Sequence, residues 1–562
     1  MRGVTPVDLP VPRGGWRTDT PPHLIPADGL SDGLNLFVDE DGLLHSRRGY
    51  DRLAEQLPFT ERVMKGVSWQ DSGGQQLVVA GLTHWAALEG GGFVDITGDP
   101  NSGDPATPTR FAQFGFLPST SRTILYGVNG AIHDPMRYWV TGDAAYKTMV
   151  DVAHGDFTFA ANDITVVADR LVAINTTENG VQNPRRVRWS SVLNGQSWSS
   201  LAFSDRLGDA GNLVAIQLTS RTSAVLYCEN GAWLMTATYG GDDATAFQFD
   251  RIFGVVVGPY SPDSIINKGG VHYLLATDRR VWVCDGSNAE IISEPIDAGL
   301  QQRLAVGAGS VGGLDEGSAQ KPVGVYDIAH RRFIWFVAFK GEQESYHAIV
   351  LNLFTKHWEP PWQLADPITA AFAVTELFGP TWDNPGIDPS TGQPWTWDTA
   401  PWPSWNDIPE NFSRALYVGT VDGTLYRFGS AASDNGKPIS YVAIWGLRWP
   451  QDMTKRQQVN TAEVLLQPIS AEPLTMRLRG FRTVFDPTPV TILNQVVAQD
   501  QPAQWLVRLS PEVATAAFKN ANYFEASVSG TTTQGAPVFA GETLFAFIVE
   551  RPDVEAGATA NY

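Results

Sequence analysis

The chain has 562 residues, with 60 Asp or Glu against 40 Lys or Arg and a formal net charge of −20. Such a surface repels duplex DNA, which carries about one charge per 1.7 Å of axis, so sequence-reading DNA binding is disfavoured although DNA sliding past is not. Two cysteines exclude a disulfide scaffold and a four-ligand zinc site. No run of about 18 apolar residues is present to span a bilayer.

The N-terminus, Met1 to Pro6, lacks the apolar core of a signal peptide, so a soluble protein made in a reducing cytoplasm is expected. Residues 1–30 are rich in Pro and Gly, and 1–60 read as an N-terminal arm with the first strands. From 61 to 430 a unit recurs: an apolar strand, a tight turn with Asn-Gly or Asp-Gly, and a second apolar strand. It appears at Ile124-Leu125-Tyr126 with Asn129-Gly130, at Val225 to Cys228 with Asn230-Gly231, at Val281 to Cys284 with Asp285-Gly286, and at Ala415-Leu416-Tyr417 with Asp422-Gly423. Asn-Gly and Asp-Gly supply the positive φ that two-residue hairpin turns need. Repetition at uneven spacings of roughly 40–60 residues predicts an irregular six- or seven-bladed β-propeller. The 19 Trp, 54 Gly and 37 Pro suit many short strands joined by turns. One short helix is predicted over 295–306.

Residues 376–412 break the rhythm. Trp382, Trp397 and Trp405 stand there among prolines, which predicts a long inserted loop with exposed aromatics. After Gly436 the turns thin out and longer strands follow. Residues 431–552 are therefore expected to form a C-terminal β-sandwich-like domain, and 553–562 a loose tail.

Candidate chemistry is sparse. Ser191 to Trp198 has the Ser, Gly and Trp spacing of a sialidase-type turn, but Leu193 stands where the Asp belongs. Acidic pairs sit beside Gly and Asn, where Asp is an ordinary turn residue. No Gly-x-Ser-x-Gly elbow, phosphate loop or His-x-x-x-His pair occurs. No catalytic residue, metal site or cofactor is predicted. Four basic groups concentrate positive charge in this acidic chain: Arg47-Arg48, Arg185-Arg186, Arg279-Arg280 and Arg331-Arg332. Arginine forks bind carboxylates in bidentate geometry, so these residues are candidates for docking the acidic edges of neighbouring subunits. DNA phosphates, or plain solvation of strand ends, are the competing readings.

Several segments together resemble one family. Asn35, Asp41-Gly42-Leu43-Leu44 and Arg47-Arg48-Gly49-Tyr50 resemble the "Asn … Gly-x-Leu … Arg-x-Gly" opening of the tail-nozzle or packaged-DNA stabilisation proteins of short-tailed bacteriophages, with Arg48 where that pattern has Pro. Trp189-Ser190-Ser191 with Ser197-Trp198, the stretch from Leu213 to Leu300, Tyr326-Asp327 with Trp335, and His357-Trp358 extend the similarity over about residues 30–430. The C-terminal third has no matching pattern. The resemblance implies a structural virion protein of the phage tail, assembled in the host cytoplasm as a homo-hexamer below the portal. Its implied partners are a head-to-tail adaptor, tail fibre or spike proteins, and genomic DNA passing through without sequence recognition. The alternative is a propeller glycoside hydrolase or carbohydrate-binding tail protein acting on host polysaccharide through the Trp382–Trp405 loop.

Overall fold

In a computed structural model, residues 4–378 and 411–447 are described apart from short stretches, and beyond them only strands between 457 and 550 are; 379–410 and 551–562 lie outside the described residues. Seven four-stranded antiparallel sheets follow one another. Blade I spans 63–95, blade II 110–151, blade III 159–205, blade IV 213–252, blade V 265–291 and blade VI 323–363. Blade VII takes three strands from Ile368–Phe378, Asn411–Thr420 and Leu425–Ala431, and its fourth from Gly49–Arg52.

A blade is apolar on both faces because each face meets a neighbour. Blades I and II share Trp69, Trp85, Leu125 and Trp139. Comparable clusters join II to III, III to IV, IV to V, V to VI and VI to VII. Val63, Leu77 and Val79 of blade I then pack on Ala370 and Phe372 of blade VII, which closes the ring. The fold is a seven-bladed β-propeller.

The hairpin unit that signals the fold in the sequence does not recur at one place in the blades. It joins second to third strands in blades II, IV and VII, but third to fourth in blade V. In blade IV the return strand begins at Gly231 itself, paired with Cys228, so Glu229-Asn230 makes the turn. Both cysteines are buried thiols outside any disulfide. The predicted helix over 295–306 is shorter than expected. A 3-10 turn at Glu294–Ile296 runs into a helix at Asp297–Gln301, and Leu304–Val306 is drawn into a hairpin with Gly309–Val311. The inserted loop is also shorter than 376–412, because strand pairing continues to Phe378↔Asn411.

The N-terminal residues are woven into the second domain. Gly29–Leu34 pairs with Ile439–Trp445 in a six-stranded sheet that continues through Tyr523–Thr532 and Leu474–Phe481. Val4–Pro10 pairs with Thr543–Glu550 in another sheet. The sandwich is thus built from both ends of the chain, and the propeller is inserted into it. Gly and Pro hide these strands in the sequence, since Gly29–Leu34 reads Gly-Leu-Ser-Asp-Gly-Leu and lacks clean alternation.

Polar side chains cross the propeller axis. Lys65 of blade I bonds Asp263, which precedes the first strand of blade V. Blades I and V are not neighbours in the ring, so the contact passes through its middle. Arg110 of blade II donates to Asp263 and, through Nε, to Asp163 of blade III, both at 2.9 Å. Asp163 also accepts the backbone N–H groups of Ile164 and of Ile216 in blade IV, each at 2.9 Å. Burial opposes ionisation of Asp263, but Lys65 and Arg110 outweigh it and hold the carboxyl below its ordinary range. The network ties five blades together with two cations and two anions.

Candidate functional site: a cleft at the neck

The chain enters the propeller at Gly49 and leaves it at Ala431, and these two residues are paired. This neck is fastened by Arg47, which is 1% exposed. Its NH1 and NH2 donate to Asp434 Oδ1 and Oδ2 at 2.7 and 2.5 Å, and its Nε donates to Asn35 Oδ1 at 2.9 Å. Asn35 adopts φ +56°, a left-handed conformation that Asn tolerates. Its amide donates to Ser440 O at 2.6 Å, and its Oδ1 also accepts from Gln363 N at 2.7 Å. Gly49 is required by contact, because a Cβ there would sit 1.9 Å from Ser433 O. Tyr50 is fully buried and exchanges hydrogen bonds with Asp366.

Beside this latch lies a cleft of about 520 Å³. Its walls are the hairpin Leu36–Val38/Leu44–Ser46, the first turn of blade VI with Ala329 and His330, Asn352 and Phe354, and the end of blade VII at Ser430–Ala432. Two imidazole–carboxylate pairs stand at it, and His45, Asp39 and His330 are part of its lining. His45 Nε2 lies 2.6 Å from Asp39 Oδ2, and His330 Nδ1 lies 2.8 Å from Asp327 Oδ2. Burial lowers the pKa of His45 despite Asp39.

Arg332 forms the floor. It is 6% exposed, and its guanidinium stacks 3.8 Å above the Phe37 ring. Among the described residues it makes no hydrogen bond, and its buried Nε lacks a partner. The nearest carboxylate is Glu359, 3.8 Å from that Nε. Burial pushes Glu359 up to about 7, with Arg332 and Asn352 opposing. The sign of the resulting pH dependence is fixed. The folded chain holds this proton until about pH 7, whereas the unfolded chain releases it near 4.5. Stability therefore falls as pH rises through that window. Ionised Glu359 costs on the order of 3 kcal/mol by pH 8. Glu359→Gln keeps the acceptor for Asn352 and is expected to raise the melting temperature at pH 8 while leaving it nearly unchanged at pH 4.5. Equal shifts at both pH values would refute the assignment.

The cleft brings together two of the four arginine doublets, Arg47-Arg48 and Arg331-Arg332. Within each, one residue is buried and one exposed: Arg47 and Arg332 point inward, whereas Arg48 and Arg331 face solvent. Arg47 and Arg332 are thus corrected as subunit-docking residues, because burial removes them from any neighbour's surface. Among the described residues, the side chain of Arg331 makes a single ion-pair contact, an exposed one of 3.7 Å with Glu40. The other two doublets lie apart on blades III and V. Arg186 holds Asp205 at 2.8 and 3.0 Å, and Arg185 beside it is exposed. Arg280 pairs with Asp297 at 2.8 Å, while Arg279, at φ +64°, reaches Gln301 O at 3.4 Å. Trp382, Trp397 and Trp405 lie outside the described residues. Sequence reasoning missed Asp434, which meets Arg47 only through the neck, and also Glu359 and the two His–Asp pairs, which are local in the chain.

Fold and neck define a β-propeller inserted into a β-sandwich. No protein-family model matches the chain, and no curated protein does. Among solved structures it is similar to selenomethionine-substituted virginiamycin B lyase from Staphylococcus aureus, at 7% identity and TM-score 0.37, covering 67% of this chain and 98% of that one. It is also similar to the extracellular domain of a putative hybrid two-component system from B. thetaiotaomicron, at 9% identity and TM-score 0.38, covering 90% of this chain and 62% of that one. A third is Raptor from Chaetomium thermophilum, at 8% identity and TM-score 0.37, covering 68% of this chain and 30% of that one. At these scores the similarities carry no functional argument.

Proposed function

We propose that the chain is a structural component of a short-tailed phage tail, a nozzle subunit that continues the DNA channel below the portal and adaptor. The observation that carries the reading is the convergence of the phage-like opening motif on one structural device. Asn35, Arg47, Gly49 and Tyr50 are the residues that fasten the neck and close the ring of blades. DNA would then run between subunits, because the axis of each propeller is crossed by the Lys65–Asp263 and Arg110–Asp163 pairs. Six copies at −20 would present 6 × −20 = −120 formal charges, which favours sliding over sticking. Exposed Arg48, Arg185 and Arg331 remain as docking points for acidic edges of adjacent subunits.

The test is the mass of the purified chain, alone and mixed with its portal–adaptor complex. A six-fold assembly that joins the connector is expected. A permanent monomer that never joins it, together with release of reducing sugar from host polysaccharide, would overturn the proposal in favour of a hydrolase.

A further inference from the structure

We propose that the neck cleft binds an oxyanion, the phosphate or carboxylate group of a small ligand, with Arg332, Arg48 and Ser46 as its donors. This goes beyond the tail reading and does not rest on it. Arg332 carries five N–H donors in a planar fork suited to two oxygens; its buried Nε has no hydrogen-bond partner and faces Glu359 only at 3.8 Å, and no hydrogen bond of the other N–H groups is present among the described residues. A buried guanidinium left so is costly unless something compensates it. Phe37 covers one of its faces and does not take its edge. Ser46 lines the same cleft, is fully buried, and its Oγ has no partner either. Arg48, at the rim, is exposed and forms no ion pair among the described residues.

The acids of the cleft are turned to other tasks. Asp39 accepts from His45 and from Leu43 N, and Glu40 reaches outward towards Arg331. Arg47 is saturated by Asp434. Positive charge is therefore left over where two unpartnered donors meet, and a volume of about 520 Å³ admits a ligand with a body behind its anionic group. Glu359 is the internal competitor for Arg332. The charged groups around it are Arg332 and Asp327 on the adjoining strands, His330 bound to Asp327, and Arg13, which lines a small cavity with it. As its carboxyl ionises, a negative charge 3.8 Å from the Arg332 Nε offsets the guanidinium and weakens its pull on a ligand.

Sulfate is the probe, because it does not titrate over the relevant range; citrate forms the carboxylate arm. Calorimetry on the full chain is expected to show one saturable site for at least one of them, and the stronger of the two names the ligand class. Binding should weaken as pH rises through about 7, and Glu359→Gln should reduce that dependence, with the imidazoles lining the cleft left to supply the rest. Arg48→Ser and Ser46→Ala should each weaken binding by about fivefold or more. Ser46→Ala should leave the melting temperature of the ligand-free protein unchanged or raised, since it removes a buried unpaired hydroxyl. Arg332→Lys keeps the charge but loses the fork, and should weaken binding further. Absence of saturable binding for both probes, or binding indifferent to Arg48→Ser and Ser46→Ala, would overturn the proposal.

Discussion

Arg47→Ala is expected to cost about 3–5 kcal/mol, read as a fall in the urea midpoint. Removing the guanidinium strands the Asp434 carboxylate, which is 2% exposed and whose Oδ2 would keep only the long bond from Ala365 N at 3.1 Å. It also frees one of the two contacts that fix Asn35 Oδ1. The loss comes from leaving one buried charge uncompensated, and the intact pair is worth far less than that. An Arg47→Leu/Asp434→Leu double variant should therefore recover much of the deficit. A single variant within about 1 kcal/mol of the parent would show that the latch is dispensable.

Asp163→Ala is expected to be as damaging, at about 3–5 kcal/mol, through the same mechanism at the propeller axis. The side chain is fully buried and accepts from Arg110 and two backbone N–H groups, on three different blades. Its removal leaves Arg110 leaning on Asp263 alone, which Lys65 already holds. Asp163→Asn keeps the shape and one acceptor oxygen and should cost less. Hydrogen exchange should localise the damage to the first strands of blades II to IV. Loss of protection confined to blade III would contradict a network that ties blades together.

Most of the ring is legible in the sequence because a blade is a local object. Apolar runs such as Leu77–Ala80, Ile164–Val167 and Phe333–Val337 announce strands whose partners lie a few residues away. The blade count is not legible, because blade VII takes its last strand from Gly49–Arg52, some three hundred residues before its first. Four residues reading Gly-Tyr-Asp-Arg carry no period that could reveal such a pairing. The same holds for Gly29–Leu34, whose partner is Ile439–Trp445.

The site was half legible. The arginine doublets stood out as charge, but their two members do not face the same way: Arg331 sits in a left-handed turn at φ +52°, and Arg332 opens the strand that follows. Which member turns inward is decided by what lies across from it. For Arg47 that is Asp434 and for Arg332 it is Phe37, both remote in sequence. Glu359 and the His–Asp pairs gave no signal, because each residue type is unremarkable at its position in a strand or turn, and only their gathering around one cleft sets them apart.

The paired crossing at Gly49 and Ala431 has a mechanical consequence. Gly49–Arg52 and Leu425–Ala431 are antiparallel neighbours that leave the ring at the same end. Tension between sandwich and propeller draws both strands in one direction, so they do not slide on each other. The load passes instead to the interface of Leu425–Ala431 with Asn411–Thr420, whose four paired positions from Leu416↔Phe428 to Gly419↔Leu425 are strained in shear and share the force. The ring is thus gripped like a hoop by its clasp, with Arg47 and Asp434 as the pin, and pulling on the sandwich does not peel the blades one hydrogen bond at a time.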